Sequence, residues 1–328
     1  MRIGIVTPAP PRSRYGNRVT ALRWARILRG LGHRVRITQA YQDEPYDLLI
    51  ALHARRSYPS VSRFHRACPG RPLIVALTGT DLYRDLPRSR SAQNSLGLAT
   101  LLIALQPKAS DELEPHLREK VRVIYQSASA PSPKRRRRKT PISRRRFNVC
   151  VIGHLRPVKD PFRAALAARR LPSSSRLRIL HVGAAMDEKM ADRALFEMTV
   201  NPRYQWLGEQ PRWRVRQILE HSALCVLSSK LEGGANVVSE AIVAGVPLVA
   251  SRIAGSVGLL GESYHAYFKV GDTEGLARLL YRAETDRAFL TRLNSHCAKL
   301  APLFDPRRER STWSRLLAEL NLLRQATG

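Results

Sequence analysis

Apolar residues in this chain fall into short runs, and the stretches between several of them carry apolar positions at helical spacing. Over the first 130 residues, Ile3–Val6, Val35–Ile37, Leu48–Leu52, Leu73–Leu77, Leu101–Ala104 and Val121–Ile124 read as short buried strands. Helical patterns lie between several of them: Val19, Leu22, Ile27 and Leu28 ahead of Gly32, and the run from Lys108 to Leu117. A second series starts at Phe147. Its strands are Asn148–Ile152, Leu177–His181, Tyr204–Leu207, Leu224–Leu227, Leu248–Ala250 and Tyr267–Val270. Its helices are expected near Asp160–Arg170, Trp213–His221, Asn236–Ala244 and Thr273–Glu284. Beyond them Arg307–Leu323 is amphipathic, with Trp313, Leu316, Leu317 and Leu320 on one stripe. Continuous apolar strands alternating with helices predict an α/β protein with parallel, doubly wound sheets, and the pattern occurs twice.

Between the two series the pattern breaks. Residues 131–146 hold nine positive charges, two turn signals and almost no apolar residue, so they read as an exposed basic linker that cannot bury a core. The expected division is an N-terminal domain over 1–130, the linker over 131–146, a C-terminal domain over 147–305 and a terminal helical segment over 306–328. A length of 328 residues agrees with about two domains.

Composition adds charge to this picture. The net charge is +30, with Arg far in excess of Lys, which favours anionic partners such as nucleotides, phosphates, acidic membranes or nucleic acid without choosing among them. No aromatics interleave the linker arginines, which disfavours a base-stacking role; contact of the linker with anionic surfaces stays open, with no obligate nucleic acid. No apolar run is long enough to span a membrane, and the N-terminus lacks a signal-peptide pattern, so a cytoplasmic protein is expected. The four scattered cysteines form no C-x-x-C pair and predict neither a disulfide framework nor a zinc site.

The most informative segment runs from Ser228 to Pro247. Glu232 and Glu240 are separated by seven residues; Gly233-Gly234 precede a helix, and Gly245 with Pro247 closes it. A strand, a glycine turn, a helix N-terminus and a further buried strand form an arrangement suited to an anion. Glu240 falls about 6 Å along the axis beyond Asn236. Two carboxylates flanking an anion site point to neighbouring sugar hydroxyls, because carboxylates repel phosphate.

This segment resembles the E-x7-E motif of retaining-type GT-B glycosyltransferases, which use nucleotide sugars. The resemblance implies two Rossmann-like domains facing across a cleft, with the last helix crossing back to the first domain. It implies Glu232 at the donor sugar, Gly233, Gly234, Ala235, Asn236 and Val237 at sugar and phosphate, and Glu240 at the ribose. Gly153-His154-Leu155-Arg156-Pro157-Val158-Lys159 resembles the family's diphosphate loop. Lys159 matches the family lysine; His154 stands where an arginine is usual, and either Arg156 compensates or His154 donates a weaker hydrogen bond. Leu207 and Gly208 resemble the turn beside the nucleobase. No Asp-x-Asp motif occurs, so metal-independent transfer without a cofactor is expected, from UDP-GlcNAc or UDP-glucose.

On the acceptor side three loops are candidates: Gly16, Asn17, Arg18 and Thr20 at a helix start; His53, Arg55 and Arg56 after the third strand; and Thr78, Gly79, Thr80 and Asp81 after the fourth. Thr78 occupies the position of a histidine common in the family, which argues against a general base there. The arginines suit a small phosphate-like acceptor. Together with Thr7-Pro8-Ala9, these loops and Leu231–Asn236 make the chain similar to the selenosugar synthases of selenoneine biosynthesis. That branch implies transfer of the sugar to selenophosphate with carbon–selenium bond formation. A hydroxyl acceptor, such as a lipid-linked or polysaccharide sugar, is the alternative within enzymes. A basic nucleic-acid or membrane-binding protein on an inactive scaffold is the alternative outside them.

Overall fold

The computed structural model describes residues 1–129 and 146–326. The basic run at 131–146 therefore lies outside the described residues, apart from Arg146. The chain divides into two compact units. One comprises Met1–Ser127, Glu232–Ala235 and Asp305–Gly328; the other comprises Ala128–Leu231 and Asn236–Phe304. The four-residue segment Glu232–Ala235, expected inside the C-terminal domain, thus clusters with the first unit.

The first unit holds β1 (Arg2–Val6), α1 (Gly16–Gly30), β2 (Arg34–Thr38), β3 (Leu48–Leu52), α2 (Tyr58–Ala67), β4 (Leu73–Leu77), α3 (Arg90–Leu98), β5 (Leu101–Ala104), α4 (Pro115–Arg118) and β6 (Val121–Val123). Its sheet is parallel throughout, in the order β2-β1-β3-β4-β5-β6. Every residue of β3, β4 and β5 is buried, because helices cover both faces, whereas the edge strand β2 alternates Arg and apolar residues and stays partly exposed. Alternate residues of β3 feed two separate cores: Leu49 and Ala51 pack in one, Leu48, Ile50 and Leu52 in the other. The second core includes Trp24 of α1 and Trp313, Leu316, Leu317 and Leu320 of the terminal helix (Pro306–Ala326), so that helix completes the first unit. The rings of Trp24 and Trp313 meet edge to face at 5.1 Å.

The second unit holds β7 (Phe147–Ile152), α5 (Arg163–Arg169), β8 (Leu177–Val182), α6 (Glu188–Val200), β9 (Tyr204–Trp206), α7 (Arg212–Glu220), β10 (Leu224–Leu227), α8 (Asn236–Ala244), β11 (Leu248–Ser251), α9 (Ala254–Leu260), β12 (Tyr267–Phe268), α10 (Thr273–Thr285) and α11 (Arg287–Leu300); the terminal helix of the first unit is α12. The sheet order β12-β11-β10-β7-β8-β9 is that of a dinucleotide-binding fold, and its connectivity reverses between β7 and β10.

The expected helix from Lys108 to Leu117 is not continuous. A 3-10 turn over Pro107–Glu112 ends at an extended Leu113, and the four-residue helix Pro115–Arg118 follows. Pro115 forces its predecessor out of the helical region, and Glu114 is extended accordingly. The last expected strand shortens to Tyr267–Phe268. Helices α2, α3, α6, α9 and α11 were not expected, although α6 and α11 carry legible starts. Asp187 and Asp286 cap them by accepting the Met190 and Phe289 backbone N–H groups. All four cysteines are free thiols. Among the described residues, no helix is long and apolar enough to cross a membrane.

Candidate functional site

In the second unit, a recess opens at the carboxyl ends of β7 and β10, where the strand order reverses. It is lined by Val151, Ile152, Gly153, His154, Lys159, Pro161, His181, Val226, Leu227, Ser228 and Ser229. Ligands of doubly wound sheets bind at this topological point, because the two neighbouring loops there turn to opposite faces and leave the strand ends uncovered. Lys159 ends a 3-10 turn, Pro157–Lys159, that is fastened to the end of β10. The Ser228 hydroxyl lies 3.1 Å from the Lys159 carbonyl and 2.9 Å from that of Asp160, and the Lys230 N–H donates to Val158 at 2.8 Å. Asp160, left-handed at φ 45°, turns the chain and accepts from Arg163 Nε at 2.8 Å. Arg156 opens this turn, half-buried, and is not among the residues lining the recess.

His154 accepts the Ala184 N–H on Nδ1 at 3.1 Å, which leaves its ring proton on Nε2. His181 lines the same recess but is engaged internally. Nε2 donates to the Gly153 carbonyl at 3.2 Å and Nδ1 lies 3.0 Å from the Tyr204 hydroxyl. Burial pushes its pKa down to about 4, so it stays neutral. Gly183 passes so close to Gly153 that an added Cβ would lie 2.0 Å from the Gly153 oxygen, which draws the ends of β7 and β8 together. Leu207 and Gly208 are half-buried at the end of β9. The Leu207 N–H donates to His181, and Gly208, at φ 64°, accepts the Gly183 N–H at 2.9 Å. On α8, Val237, Val238, Ala241 and Ile242 are buried, whereas Asn236 and Glu240 are half-buried one turn apart on the same face.

The first unit presents a different arrangement. Asp81, fully buried, accepts the Thr78 and Gly79 N–H groups at 2.9 and 2.8 Å, the Thr78 hydroxyl at 3.3 Å and the Ala54 N–H at 3.0 Å. It builds the loop rather than facing out of it. His53 follows β3 in a left-handed conformation, φ 76°. Its Nδ1 accepts the Arg56 N–H at 3.3 Å, and its Nε2 lies 3.3 Å from the Thr80 hydroxyl and 3.9 Å from Asp85 Oδ2. Burial outweighs those carboxylates and lowers its pKa. Arg55 lies 3.2 Å from buried Asp85, which Arg84 also reaches, while Arg56 is exposed. Asp85 was not singled out from sequence. Thr20 is buried with its hydroxyl 2.6 Å from Gln126 Oε1. Gly16 and Asn17 form the first turn of α1, where no side chain caps the helix and no acidic residue lies. Arg18 stands in the same turn with its Nε buried and without a hydrogen-bond partner among the described residues.

The glycine pair has a packing role. A Cβ on Gly233 would lie 2.5 Å from the Thr78 carbonyl carbon, and one on Gly79 2.7 Å from the Gly233 nitrogen. One on Gly234 would lie 2.5 Å from the Leu105 Cβ. The loop Glu232–Ala235 therefore runs backbone to backbone against the Thr78–Gly79 loop, a contact that only glycine allows on both sides. Among the described residues, no cluster of three or more His, Cys, Asp or Glu side chains could hold a metal ion.

The fold is similar to that of HepE from Anabaena in complex with UDP and glucose, at 17% identity over 97% of this chain and 100% of that one, with a TM-score of 0.77. It is also similar to sucrose-phosphate synthase from Thermosynechococcus elongatus, at 15% identity over 98% and 99% of the two chains and a TM-score of 0.77. A UDP-forming α,α-trehalose-phosphate synthase from Burkholderia vietnamiensis aligns at 14% identity over 93% and 79%, with a TM-score of 0.68. These likenesses establish the GT-B fold of two Rossmann-like parallel-sheet domains. A sequence search of curated proteins returns no match. The model of the family described as glycosyl transferases group 1 matches residues 133–300, just over half of the 328 residues. By that match, the chain belongs to the glycosyl transferases of group 1.

Proposed function

We propose that this glycosyl transferase takes its sugar from a UDP-sugar, UDP-GlcNAc or UDP-glucose, and passes it to a small oxyanion, selenophosphate. The donor part is supported by the recess where the second unit's strand order reverses, with Lys159 and His154 among its lining residues. It is also supported by the UDP-bound state of HepE, which shares the fold. In this reading Glu240 accepts hydrogen bonds from the ribose, Leu207 and Gly208 lie beside the base, and Lys159 with Arg156 stabilises the diphosphate. His154 adds one Nε2–H donor. Glu232 attends the sugar, and the backbone from Gly233 to Val237 meets sugar and phosphate. Selenium forms a bond to the anomeric carbon as the bond from that carbon to the diphosphate oxygen breaks. The electron pair leaves on UDP, and the nearby cations lower the energy of that developing charge. The product is a selenosugar whose selenium still carries the phosphoryl group.

One observation carries the acceptor reading: Arg18 Nε, buried and unpartnered in the first turn of α1. A buried donor left unpaired costs about 1–3 kcal/mol, and an oxyanion at that helix start would remove the cost. An acceptor that arrives as an anion also needs no general base, in keeping with a buried His53 whose Nδ1 already accepts the Arg56 N–H. The pairing of Arg55 with Asp85 favours the second reading, a hydroxyl acceptor, because it withdraws one cation from the expected clamp. The test incubates the protein with each UDP-sugar and either selenophosphate or a sugar alcohol acceptor, following UDP and product mass. UDP release with a selenium-containing product is expected. Turnover only with the hydroxyl acceptor would overturn the selenophosphate reading, and no UDP release with any acceptor would overturn the donor reading.

A further inference from the structure

We infer that Gln126 is a positioning residue for Glu232. From within the first unit it fixes the loop Glu232–Ala235, and its effect on turnover rests on the sugar-transfer reading above. Gln126 is buried, and its amide has a single workable orientation. The Oε1 atom accepts from the Thr20 hydroxyl at 2.6 Å and from the Arg23 guanidinium, so Nε2 must point the other way. There it donates to the Gly234 carbonyl at 2.6 Å. An arginine N–H cannot face an amide N–H, so Arg23 locks the orientation that holds the loop.

Arg23 is itself held. Its Nε lies 3.3 Å from Glu309 of α12, a buried carboxylate that also accepts from Trp24 Nε1 at 3.0 Å, from the Ser127 N–H at 2.9 Å and from the Ser127 hydroxyl. The network therefore runs from the terminal helix through Arg23 and Gln126 to the carbonyl two residues beyond Glu232. Gly233 against Thr78–Gly79 and Gly234 against Leu105 limit the loop on its other sides. These glycine contacts are apolar or steric and act at short range. The Gln126 amide is the directional link, so it sets where the chain stands as it leaves Glu232.

The test is Gln126→Glu in the full chain. Glutamate keeps an acceptor for Thr20 and Arg23 but replaces the donor to Gly234 with a second oxygen. Hydrogen exchange of the amides over 232–236 is expected to quicken about tenfold, beyond any change that the loss of global stability accounts for. With a UDP-sugar, kcat is expected to fall about tenfold, with donor KM and UDP Kd within about twofold. Gln126→Met, which matches the length but lacks the amide, should move exchange and kcat the same way and keeps the test open if the glutamate variant folds poorly. Exchange and kcat both unchanged in a folded variant would overturn the inference, as would a fall in kcat that only tracks the folded fraction. If the unaltered protein transfers no sugar, the sugar-transfer reading fails, and the exchange measurement alone decides whether Gln126 holds the loop.

Discussion

The loops at the strand ends of the first unit and those of the second grow from the same parallel-sheet geometry, yet they place polar side chains in opposite ways. In the first unit, Asp81 and His53 turn inward and accept backbone N–H groups, the Thr20 hydroxyl meets Gln126, and buried Asp85 meets Arg55 and Arg84. In the second, Lys159 and His154 line a recess, while the Ser228 hydroxyl, His181 and the Nδ1 side of His154 are engaged with the protein's own backbone. The difference teaches that a strand-end loop can be conspicuous in sequence either because it meets a ligand or because its own turn needs a buried acceptor. The two cases separate by experiment, since the first kind of residue controls affinity and the second controls stability.

The largest expected effect is on the inward side. Asp81→Ala leaves three backbone N–H groups without their acceptor and should lower stability by roughly 4 kcal/mol in urea unfolding, with UDP affinity nearly unchanged in the folded fraction. Loss of UDP binding at intact stability would erase the distinction.

His181 extends the comparison into the second unit, as a recess-lining group engaged with the backbone. Its folded pKa of about 4 lies below the ordinary value of 6.5, so the unfolded chain takes up the proton first as pH falls. Its contribution is complete above about pH 6.5 and is lost as pH falls toward 4, to a limit of about 3 kcal/mol. Unfolding at pH 7 and pH 4.5, with His181→Gln as reference, isolates it. An equal pH dependence in the two proteins would show that burial does not hold this ring neutral.

At the proposed donor site, Glu240→Ala should weaken UDP binding about tenfold or more, corresponding to a lost charge-assisted bond of about 1.5–3 kcal/mol. Glu232→Ala should lower kcat while keeping UDP affinity, because it is assigned to the reacting sugar. Calorimetric titration with UDP compares the two. Equal UDP affinity in Glu240→Ala and the unaltered protein would sink the ribose assignment.

The smallest effect is expected at Arg55. Half exposed, with Arg84 also on Asp85, its removal should cost less than about 1 kcal/mol of stability. Combined with Arg56→Ala, it should raise the acceptor KM and leave UDP affinity alone. A change in UDP affinity instead would assign these arginines to the donor.

Strands β3, β4 and β5 were legible because a strand buried on both faces must be apolar at every position, and helix α8 because glycines and a proline bracket it. The interruption near Leu113 was missed because the apolar spacing from Lys108 to Leu117 continues across Pro115. Asp85 and Gln126 gave no sequence signal. Gln126 lies 106 residues from Thr20 and 108 from Gly234, and no spacing rule reaches across such separations. The Gly233-Gly234 pair was read as a turn that opens a helix toward an anionic ligand. What approaches in the structure is the backbone of Thr78–Gly79 and the side chain of Leu105.

By itself the sequence determined the alternation of strands and helices, the two parallel sheets and the placing of candidate residues at strand ends, because these follow from local periodicity, chain reversal and the burial each strand needs. Tertiary structure alone decided which polar side chains are engaged internally. Hydrogen-bond partners far apart in the chain are chosen by packing, and a carboxylate or amide reads the same in sequence whether it meets a ligand or a neighbouring backbone N–H.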